Sequence, residues 1–262
     1  MQILLLPGPE AGSASRALAA LGHRVRTGAA SAFTPADDLV LALGVLRDDL
    51  SGLPSAYWAT GDPWGFEPSP KARWLFSADP HAAARYARPA AVLPPAFDDL
   101  APGTPPSGAW DVAIPGEAFP RRLLVFQALK DLMPQWRILG PGGAESDWTA
   151  ASVVLVVQRD AMEGNLRRIP PHSADRELYE AAGLGCCVVT DRTRTGAFEA
   201  YVEGKEVLSY ESIRALPDLI GPLLQDPARR QALGSAARAR TLAEHTLRHR
   251  LAHLLDRCGT GA

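Results

Sequence analysis

The chain is built from short apolar runs that stop at glycine or proline and alternate with segments of helical periodicity. The first run covers residues 2–6 and ends at Pro7-Gly8, and residues 13–21 then carry apolar side chains at helical spacing before Gly22. A continuous apolar run of this length is typical of a strand buried on both faces, and glycine commonly follows the last turn of a helix. With residues 23–27 as a second strand, this order predicts the strand–helix–strand unit of a doubly wound α/β domain.

The same alternation restarts after a stretch rich in proline and glycine. Seven of the fifteen residues from Pro94 to Gly108 are proline or glycine, a composition typical of a linker. We therefore expect an N-terminal domain over 1–100, a linker over 101–110 and a C-terminal domain over 111–262 that ends in a long helical region. Further strands are predicted at 38–43, 56–59, 73–77, 91–93, 111–114, 136–139, 152–157, 186–190 and 207–210. Further helices are predicted at 81–88, 120–132, 176–182, 212–224 and 227–255.

Charge and cysteine content exclude several classes of protein. The formal charge is −2, which argues against a nucleic-acid-coating protein, and no apolar window is long enough for a membrane span. The three cysteines show no zinc-site or disulfide spacing. His245, His249 and His253 recur every four residues without a carboxylate or cysteine to complete a metal site, so they indicate a packing or solvated face. We expect a soluble cytoplasmic protein with no metal, no nucleic-acid partner and no membrane span.

In the N-terminal half, candidate ligand-binding residues follow predicted strands. Gly8 lies in a glycine turn that opens a helix, although the GxGxxG pattern of a dinucleotide site is absent; a plain turn is the alternative. Trp58 and Asp62 flank the end of a strand, where an aromatic face suits a sugar ring and a carboxylate serves as a base. The alternative for Asp62 is a structural Asp-Pro turn. Asp79, before Pro80, is interpreted as a helix cap.

In the C-terminal half, two helix starts are candidates for binding an anion. Arg121 and Arg122 stand at the beginning of a predicted helix, where the helix dipole disfavours cations unless an anion such as a diphosphate is bound. The backbone amides of Gly196, Ala197 and Phe198 open another helix. A solvated basic pair and an ordinary loop are the respective alternatives.

A long irregular segment after the strand at 152–157 carries the remaining candidates. Gln158 and Asn165 lie on it, and polar groups concentrated on a loop at the end of a central strand are typical of a ligand site. Glu180 follows on a helix. Because Arg176 lies four residues earlier on the same helix face, an Arg176–Glu180 ion pair is the alternative role for Glu180.

The motifs of the C-terminal half resemble the CgeB-like (spore-maturation-protein-like) group of GT-B glycosyltransferases. The resemblance rests on 152–160, 178–191, 198–199, 204–207, 224–227 and 244–250, with Asp111-Val-Ala-Ile-Pro-Gly116 and Arg121 before them. The N-terminal half is similar through 22–25, Trp58 with Asp62, and Phe76 with Asp79.

The resemblance implies two facing Rossmann-like domains and a nucleotide-diphosphate sugar as donor. It assigns Glu180 to the ribose hydroxyls and Arg121, with the amides of 196–198, to the diphosphate, so that no metal is needed. It assigns acceptor contacts to the N-terminal domain, where Asp62 and Gly8 are the candidates, and it implies retention at the anomeric carbon. Related enzymes often carry two glutamates eight residues apart, whereas here His172 stands eight residues before Glu180.

Three functional hypotheses follow from these features. The first is a glycosyltransferase that moves a sugar from a nucleotide donor to an unknown acceptor. The second is a non-catalytic nucleotide-sugar-binding or scaffold protein, motivated by the missing carboxylate at His172. The third is a Rossmann oxidoreductase, against which the absent GxGxxG argues.

Overall fold

A computed structural model describes residues 1–46, 48–101, 109–162 and 164–259. By their contacts, the residues form two compact units. The first unit comprises Met1–Ala101, Ala161–Ser173 and Thr246–Ala262, and the second comprises Pro102–Asp160 and Ala174–His245. The linker predicted at 101–110 falls mainly on 102–108, which lie outside the described residues.

The secondary structure alternates between strands and helices. The strands are β1 (Gln2–Leu5), β2 (Arg24–Thr27), β3 (Leu39–Leu43), β4 (Ser55–Ala59), β5 (Trp74–Ser77), β6 (Ala91–Val92), β7 (Trp110–Ala113), β8 (Ile138–Leu139), β9 (Ala151–Val156), β10 (Val188–Asp191) and β11 (Leu208–Tyr210). The helices are α1 (Ala11–Ala20), α2 (Pro80–Ala83), α3 (Pro120–Leu132), α4 (Glu145–Trp148), α5 (Arg176–Gly183), α6 (Gly196–Ala200), α7 (Leu216–Gln225), α8 (Pro227–Glu244) and α9 (Leu247–Arg257). Short 3₁₀ turns cover Ala30–Ala32 and Ile213–Ala215.

The described strands of the first unit form one parallel sheet in the order β2-β1-β3-β4-β5-β6. The side chains of β1 alternate between its two faces, as a strand of period two requires. Ile3 and Leu5 pack on one face against residues of α1 and α9, and Leu4 packs on the other face against Tyr57 and Leu75. The first unit is therefore a sheet covered on both faces, which is why its central strands are continuously apolar.

The described strands of the second unit also form one parallel sheet, in the order β11-β10-β9-β7-β8. Val153 and Leu155 of β9 pack with Val125 of α3 and Ile220 of α7. Helix α8 lies close to the turn before β10: a Cβ added at Gly234 would lie 2.1 Å from the carbonyl oxygen of Gly185. Glycine is needed there because two backbones approach each other directly.

The predicted helix at 120–132 is confirmed, and the other predictions differ from the structure mainly at their ends. The helix expected at 81–88 stops at Ala83, because the chain then turns so that the amide of Ala87 donates to the carbonyl of Pro68. The region 227–255 is two helices, since the Thr246 hydroxyl caps α9 by accepting from the amide of His249.

The grouping of residues also differs from a single division of the chain at the linker. The sequence analysis placed all of 111–262 in one domain. The structure groups Ala161–Ser173 and Thr246–Ala262 with the first unit, where α9 packs against α1.

In the described part of the chain, no helix combines the length and hydropathy that crossing a bilayer requires.

Candidate functional site

Polar side chains of the second unit collect where its parallel strands end. The carboxyl ends of parallel strands meet at one edge of a sheet, which is where open α/β sheets bind ligands. Gly116 follows β7, Gln158 follows β9, and Asp191 ends β10. We call the connected side chains that start from these positions the edge network: Arg121, Arg122, Gln158, Arg159, Asp175, Glu177, Thr190, Asp191 and Arg194.

Arg122 is the buried centre of the edge network, with a side chain only 2% exposed. Its Nε donates to the carbonyl of Val157 at 2.9 Å, its Nη2 lies 3.1 Å from Asp175 Oδ2, and its Nη1 lies 2.9 Å from Glu177 Oε1. A buried charge is tolerated only when it is paired and hydrogen-bonded, and Arg122 meets both conditions. The arginine thereby ties the start of α3 to the end of β9 and the start of α5.

Asp175 and Gln158 extend the network toward β10. The Asp175 carboxylate accepts from the backbone amide of Arg159 at 2.5 Å, and the backbone amide of Asp175 donates to Gln158 Oε1 at 2.8 Å. Gln158 Nε2 donates to the hydroxyl of Thr190 at 3.0 Å. Burial, helped by the nearby carboxylate of Glu177, raises the pKa of Asp175, while the guanidinium of Arg122 opposes the rise.

Arg121 carries the network to the surface. The amide of Gln158 donates to Asp191 Oδ2 at 3.0 Å, and Arg121 Nη2 lies 3.3 Å from that same oxygen. The Arg121 side chain is 29% exposed, whereas Asp191 is buried. The arrangement holds a guanidinium at the edge of the sheet with part of its surface open to an anion.

Gly116 allows the network to close. Its φ is +88°, and a Cβ added there would lie 2.0 Å from Glu177 Oε1 and 2.1 Å from Arg122 Nη1. Only glycine fits, because the position needs both a left-handed backbone and the absence of a side chain.

The other residues predicted to bind the donor are placed as follows. Glu180 pairs with Arg176 at 2.6 Å, which is the ion pair that the sequence analysis gave as the alternative to a ribose contact. Gln158 is fully buried and bridges Asp175 to Thr190, which corrects the expectation that it faces a ligand. The amides of Ala197 and Phe198 donate to the carbonyls of Arg194 and Thr195, so they are already used inside the turn before α6.

Asn165 requires a similar correction. It belongs to the first unit, and the residue is only 3% exposed. Its Nδ2 donates to the carbonyls of Ala161 and Ile169, and its Oδ1 accepts from the amide of Ile169. The amide group therefore closes its own loop rather than presenting itself to a donor.

In the first unit, Asp62 lies beyond the carboxyl end of β4 and is buried. Its Oδ2 accepts from the hydroxyl of Ser77 at 2.6 Å and from that of Tyr86 at 2.8 Å, while its Oδ1 has no hydrogen-bond partner among the residues that the structure describes. Burial raises the pKa of Asp62 to about 6; the Ser77 and Tyr86 hydroxyls act to lower it and the charge of Asp79 to raise it. The peptide bond from Asp62 to Pro63 is cis. Asp62 is thus a buried carboxyl group with an unmatched oxygen.

Asp79 organises the loops next to Asp62. Its Oδ1 accepts from the amides of His81 and Ala82, which confirms the predicted helix cap. Its Oδ2 accepts from the amides of His172 and Ser173 at 2.6 and 2.9 Å, and so attaches Ala161–Ser173 to the first unit.

The two residues expected on the acceptor side have different surroundings. Trp58 is 2% exposed, packs in the core beside Ile3 and Phe76, and donates from Nε1 to the carbonyl of Leu93 at 2.8 Å. Its ring face is not available to a sugar, so the expected stacking role is corrected to a structural one. Gly8 is exposed at the turn between β1 and α1, and a Cβ there would make an ordinary contact with the carbonyl of Leu43.

The cysteines lie in the interior of the protein. Cys186, Cys187 and Cys258 are free and buried, and burial raises the pKa of Cys187 to about 11. Among the residues that the structure describes, no group of three or more His, Cys, Asp or Glu side chains is arranged to hold a metal ion.

The sequence analysis missed the partners that organise both edges. It considered Arg121 and Arg122 together and assigned the diphosphate to Arg121. No pattern in the neighbouring sequence indicated that Arg122 is the buried arginine of the two. Asp175 and Glu177 were not identified as its partners, since they lie 53 and 55 residues away. Tyr86 was likewise missed as a donor to Asp62.

A family model described as glycosyl transferase-like matches residues 121–256, just over half of the chain. The chain belongs to the glycosyl transferase-like family. The match begins at Arg121 and includes every residue of the edge network. No curated protein matches this glycosyl transferase-like chain.

Solved glycosyltransferases share its fold. The chain is similar to HepE of Anabaena in complex with UDP-glucose, at 14% identity and a TM-score of 0.61, covering 99% of this chain and 100% of that one. It is also similar to AviGT4, a glycosyltransferase involved in avilamycin A biosynthesis, at 13% identity and 0.60, covering 99% and 97%. A glycosyltransferase from Rickettsia africae matches at 10% identity and 0.60, covering 98% and 97%. The two parallel-sheet halves are therefore of the Rossmann-like kind found in GT-B glycosyltransferases.

Proposed function

We propose that the protein transfers a sugar from a nucleotide-diphosphate donor to an acceptor, without a metal ion and with retention at the anomeric carbon. Family membership and the GT-B fold support the reaction class. The assignment to the CgeB-like group rests on the sequence motifs. Because HepE is seen with UDP-glucose and with UDP, UDP-sugars are the first donors to test.

The edge network of the second unit is the observation that carries this proposal. Two of its four guanidinium groups, those of Arg121 and Arg122, pair with the three carboxylates of the network, and Arg194 donates to the carbonyl of Arg159. Arg121 is held by Asp191 in a fixed place, and Arg122 anchors the helix on which Arg121 stands. A preorganised guanidinium stabilises the charge that develops on a leaving diphosphate without reorganising during the reaction.

We assign the nucleoside ribose to Glu180 and the acceptor side to the first unit. Glu180 would exchange its ion pair with Arg176 for hydrogen bonds to the ribose hydroxyls; the pair lies on the surface of α5, where such pairs contribute little stability. Asp62 and Gly8 lie at the carboxyl ends of β4 and β1, the ligand-binding edge of the first sheet. Asp62 reaches an acceptor only if its unmatched Oδ1 is brought to the surface.

The donor site is tested by calorimetric titration of UDP, GDP, dTDP and ADP into the protein and into Arg121→Ala. We expect one nucleotide to bind, and the variant to bind it at least tenfold more weakly, about 1.5 kcal/mol for a lost charged hydrogen bond. Arg137→Ala is the matched control, because Arg137 pairs with Asp111 at 3.1 Å near the amino-terminal ends of strands in the same sheet. Equal weakening in both variants, or no binding of any nucleotide, would contradict the proposed site.

A second candidate is a nucleotide-sugar-binding protein without turnover, and His172 is the observation that favours it. Where related enzymes carry a carboxylate, this chain has an imidazole whose backbone is fixed by Asp79. Release of nucleoside diphosphate from a bound nucleotide sugar separates the two functions. Release that Arg121→Ala abolishes supports the transferase, whereas tight binding without release supports the second candidate.

A further inference from the structure

A cavity of about 720 Å³ lies in the first unit, away from the edge that contains Asp62. Its walls are formed by residues 50–54, 68–73 and 87–88, with Leu75 beneath. The first two segments lead into the amino-terminal ends of β4 and β5, whereas Asp62 follows the carboxyl end of β4. The five residues of β4 separate the two edges by about 15 Å, at roughly 3.3 Å a residue.

Hydrogen bonds fix the three wall segments to one another. The amide of Ala87 donates to the carbonyl of Pro68 at 3.0 Å, and the Arg88 guanidinium donates to the carbonyls of Pro70 and Ala72. The hydroxyl of Ser55 joins segment 50–54 to segment 68–73. It accepts from the amide of Arg73 at 3.3 Å and donates to the carbonyl of Leu53 at 3.1 Å. A cavity with walls held in this way needs little ordering when a ligand binds, which favours affinity.

The chemistry of the lining is apolar below and cationic above. Leu50, Ala72 and Leu75 form a buried apolar floor. Every ionisable side chain that lines the cavity in the described part of the chain is basic: Lys71, Arg73 and Arg88. Arg88 is occupied by wall carbonyls. Lys71 forms a solvent-exposed ion pair with Asp49 at 3.3 Å, and the exposed Arg73 lies over the ring of Trp74 at 4.4 Å. A surface ion pair and an exposed cation–π contact each contribute little stability, so both cations can exchange them for an anion.

We propose that this cavity binds a small amphipathic anion: a carboxylate, sulfonate or phosphate ester that carries an apolar group. Its volume is in the range of about 300–1,000 Å³ typical of small-molecule sites. An apolar group on the floor loses water-exposed surface, and the anion meets Lys71 and Arg73 at the rim. The proposal is independent of the sugar-transfer reaction, because it uses the opposite edge of the first sheet.

The test is a fluorescence titration with 1-anilinonaphthalene-8-sulfonate, an aromatic anion, followed by displacement. Octyl phosphate and octanoate should displace the dye, and their relative potency distinguishes a phosphate from a carboxylate ligand. Inorganic phosphate lacks the apolar group and octyl glucoside lacks the negative charge, so both should displace the dye poorly. Displacement by either of these as readily as by octyl phosphate would overturn the proposal.

Two variants place the binding in this cavity. Lys71→Gln with Arg73→Gln should weaken octyl phosphate binding about tenfold, the loss of charged hydrogen bonds worth about 1.4 kcal/mol together. Arg24→Gln with Lys130→Gln removes the same charge elsewhere and should leave binding unchanged. Ser69→Trp, at an exposed lining position, should weaken binding by placing an indole ring in part of the cavity, while leaving the urea midpoint in place. Equal weakening in the control pair, or full binding to Ser69→Trp, would overturn the proposal.

Discussion

Replacing the buried Asp62 by asparagine should change how the stability of the first unit depends on pH. The Asp62 carboxyl accepts hydrogen bonds from Ser77 and Tyr86 at one oxygen, and the described part of the chain offers no partner to the other. Burial raises its pKa from an ordinary 3.8 to about 6. The folded protein therefore binds this proton more tightly than the unfolded chain does.

The sign and size of the effect follow from that pKa. Below pH 3.8 the group is protonated in both states and does not affect the free energy of unfolding. As pH rises from 3.8 to 6, the unfolded chain releases the proton first, so stability falls. Above pH 6 the loss is complete and amounts to about 3 kcal/mol, at about 1.36 kcal/mol for each pH unit. Asparagine carries no charge, so Asp62→Asn should gain about 3 kcal/mol relative to the native protein between pH 4 and pH 7.

Urea unfolding at half-unit pH intervals, followed by tryptophan fluorescence, measures this difference. Hydrogen–deuterium exchange of peptides from β4 and β5 places it in the first unit. Asp131→Asn is the control, since Asp131 is an exposed carboxylate that accepts from Gln127 on the surface of α3. The reasoning is refuted if native and Asp62→Asn curves run parallel from pH 4 to pH 7. In that case the carboxyl group is not desolvated in solution.

Two further substitutions test packing and capping. Gly116→Ala should destabilise the second unit by about 3 kcal/mol or more, because its Cβ would displace the buried guanidinium of Arg122. Gly142 has a similar positive φ of +97°, but an added Cβ would meet no heavy atom of a described, non-adjacent residue within 4 Å. Gly142→Ala should therefore lose only about 1 kcal/mol to backbone strain in urea denaturation, and equal losses would contradict the clash. Thr246→Ala should cost the first unit about 1 kcal/mol by removing the cap of α9, and Thr246→Ser should restore it; an unchanged midpoint in Thr246→Ala would show that the cap contributes nothing.

Features that depend on neighbours in the chain could be predicted from the sequence. The apolar runs predicted buried strands, because a parallel strand covered on both faces has no polar positions. The cap at Asp79 was predicted, and the pair between Arg176 and Glu180 was named as an alternative, for the same reason: each involves atoms within one helical turn. Periodicity over two or three turns also located α3.

Features that depend on distant residues could not be predicted. Trp58 looked like a ligand-facing aromatic in the sequence, and only the sheet register shows that it faces α1 and the core. The continuous helical pattern of 227–255 concealed the break before Thr246. That break separates α8, in the second unit, from α9, which packs against α1 in the first.

The sequence by itself determined the α/β fold class, because hydrophobic periodicity and glycine positions are local properties. Its motifs also carried the resemblance to GT-B glycosyltransferases. Only the tertiary structure decided which of two adjacent arginines is buried and which is partly exposed to solvent. Arg121 and Arg122 have the same chemistry, but they point in different directions from the first turn of α3. Arg122 pairs with Asp175 and Glu177 inside the unit, and Arg121 reaches the surface beside Asp191. That choice depends on where β9, α5 and β10 lie around the helix, which no local pattern contains.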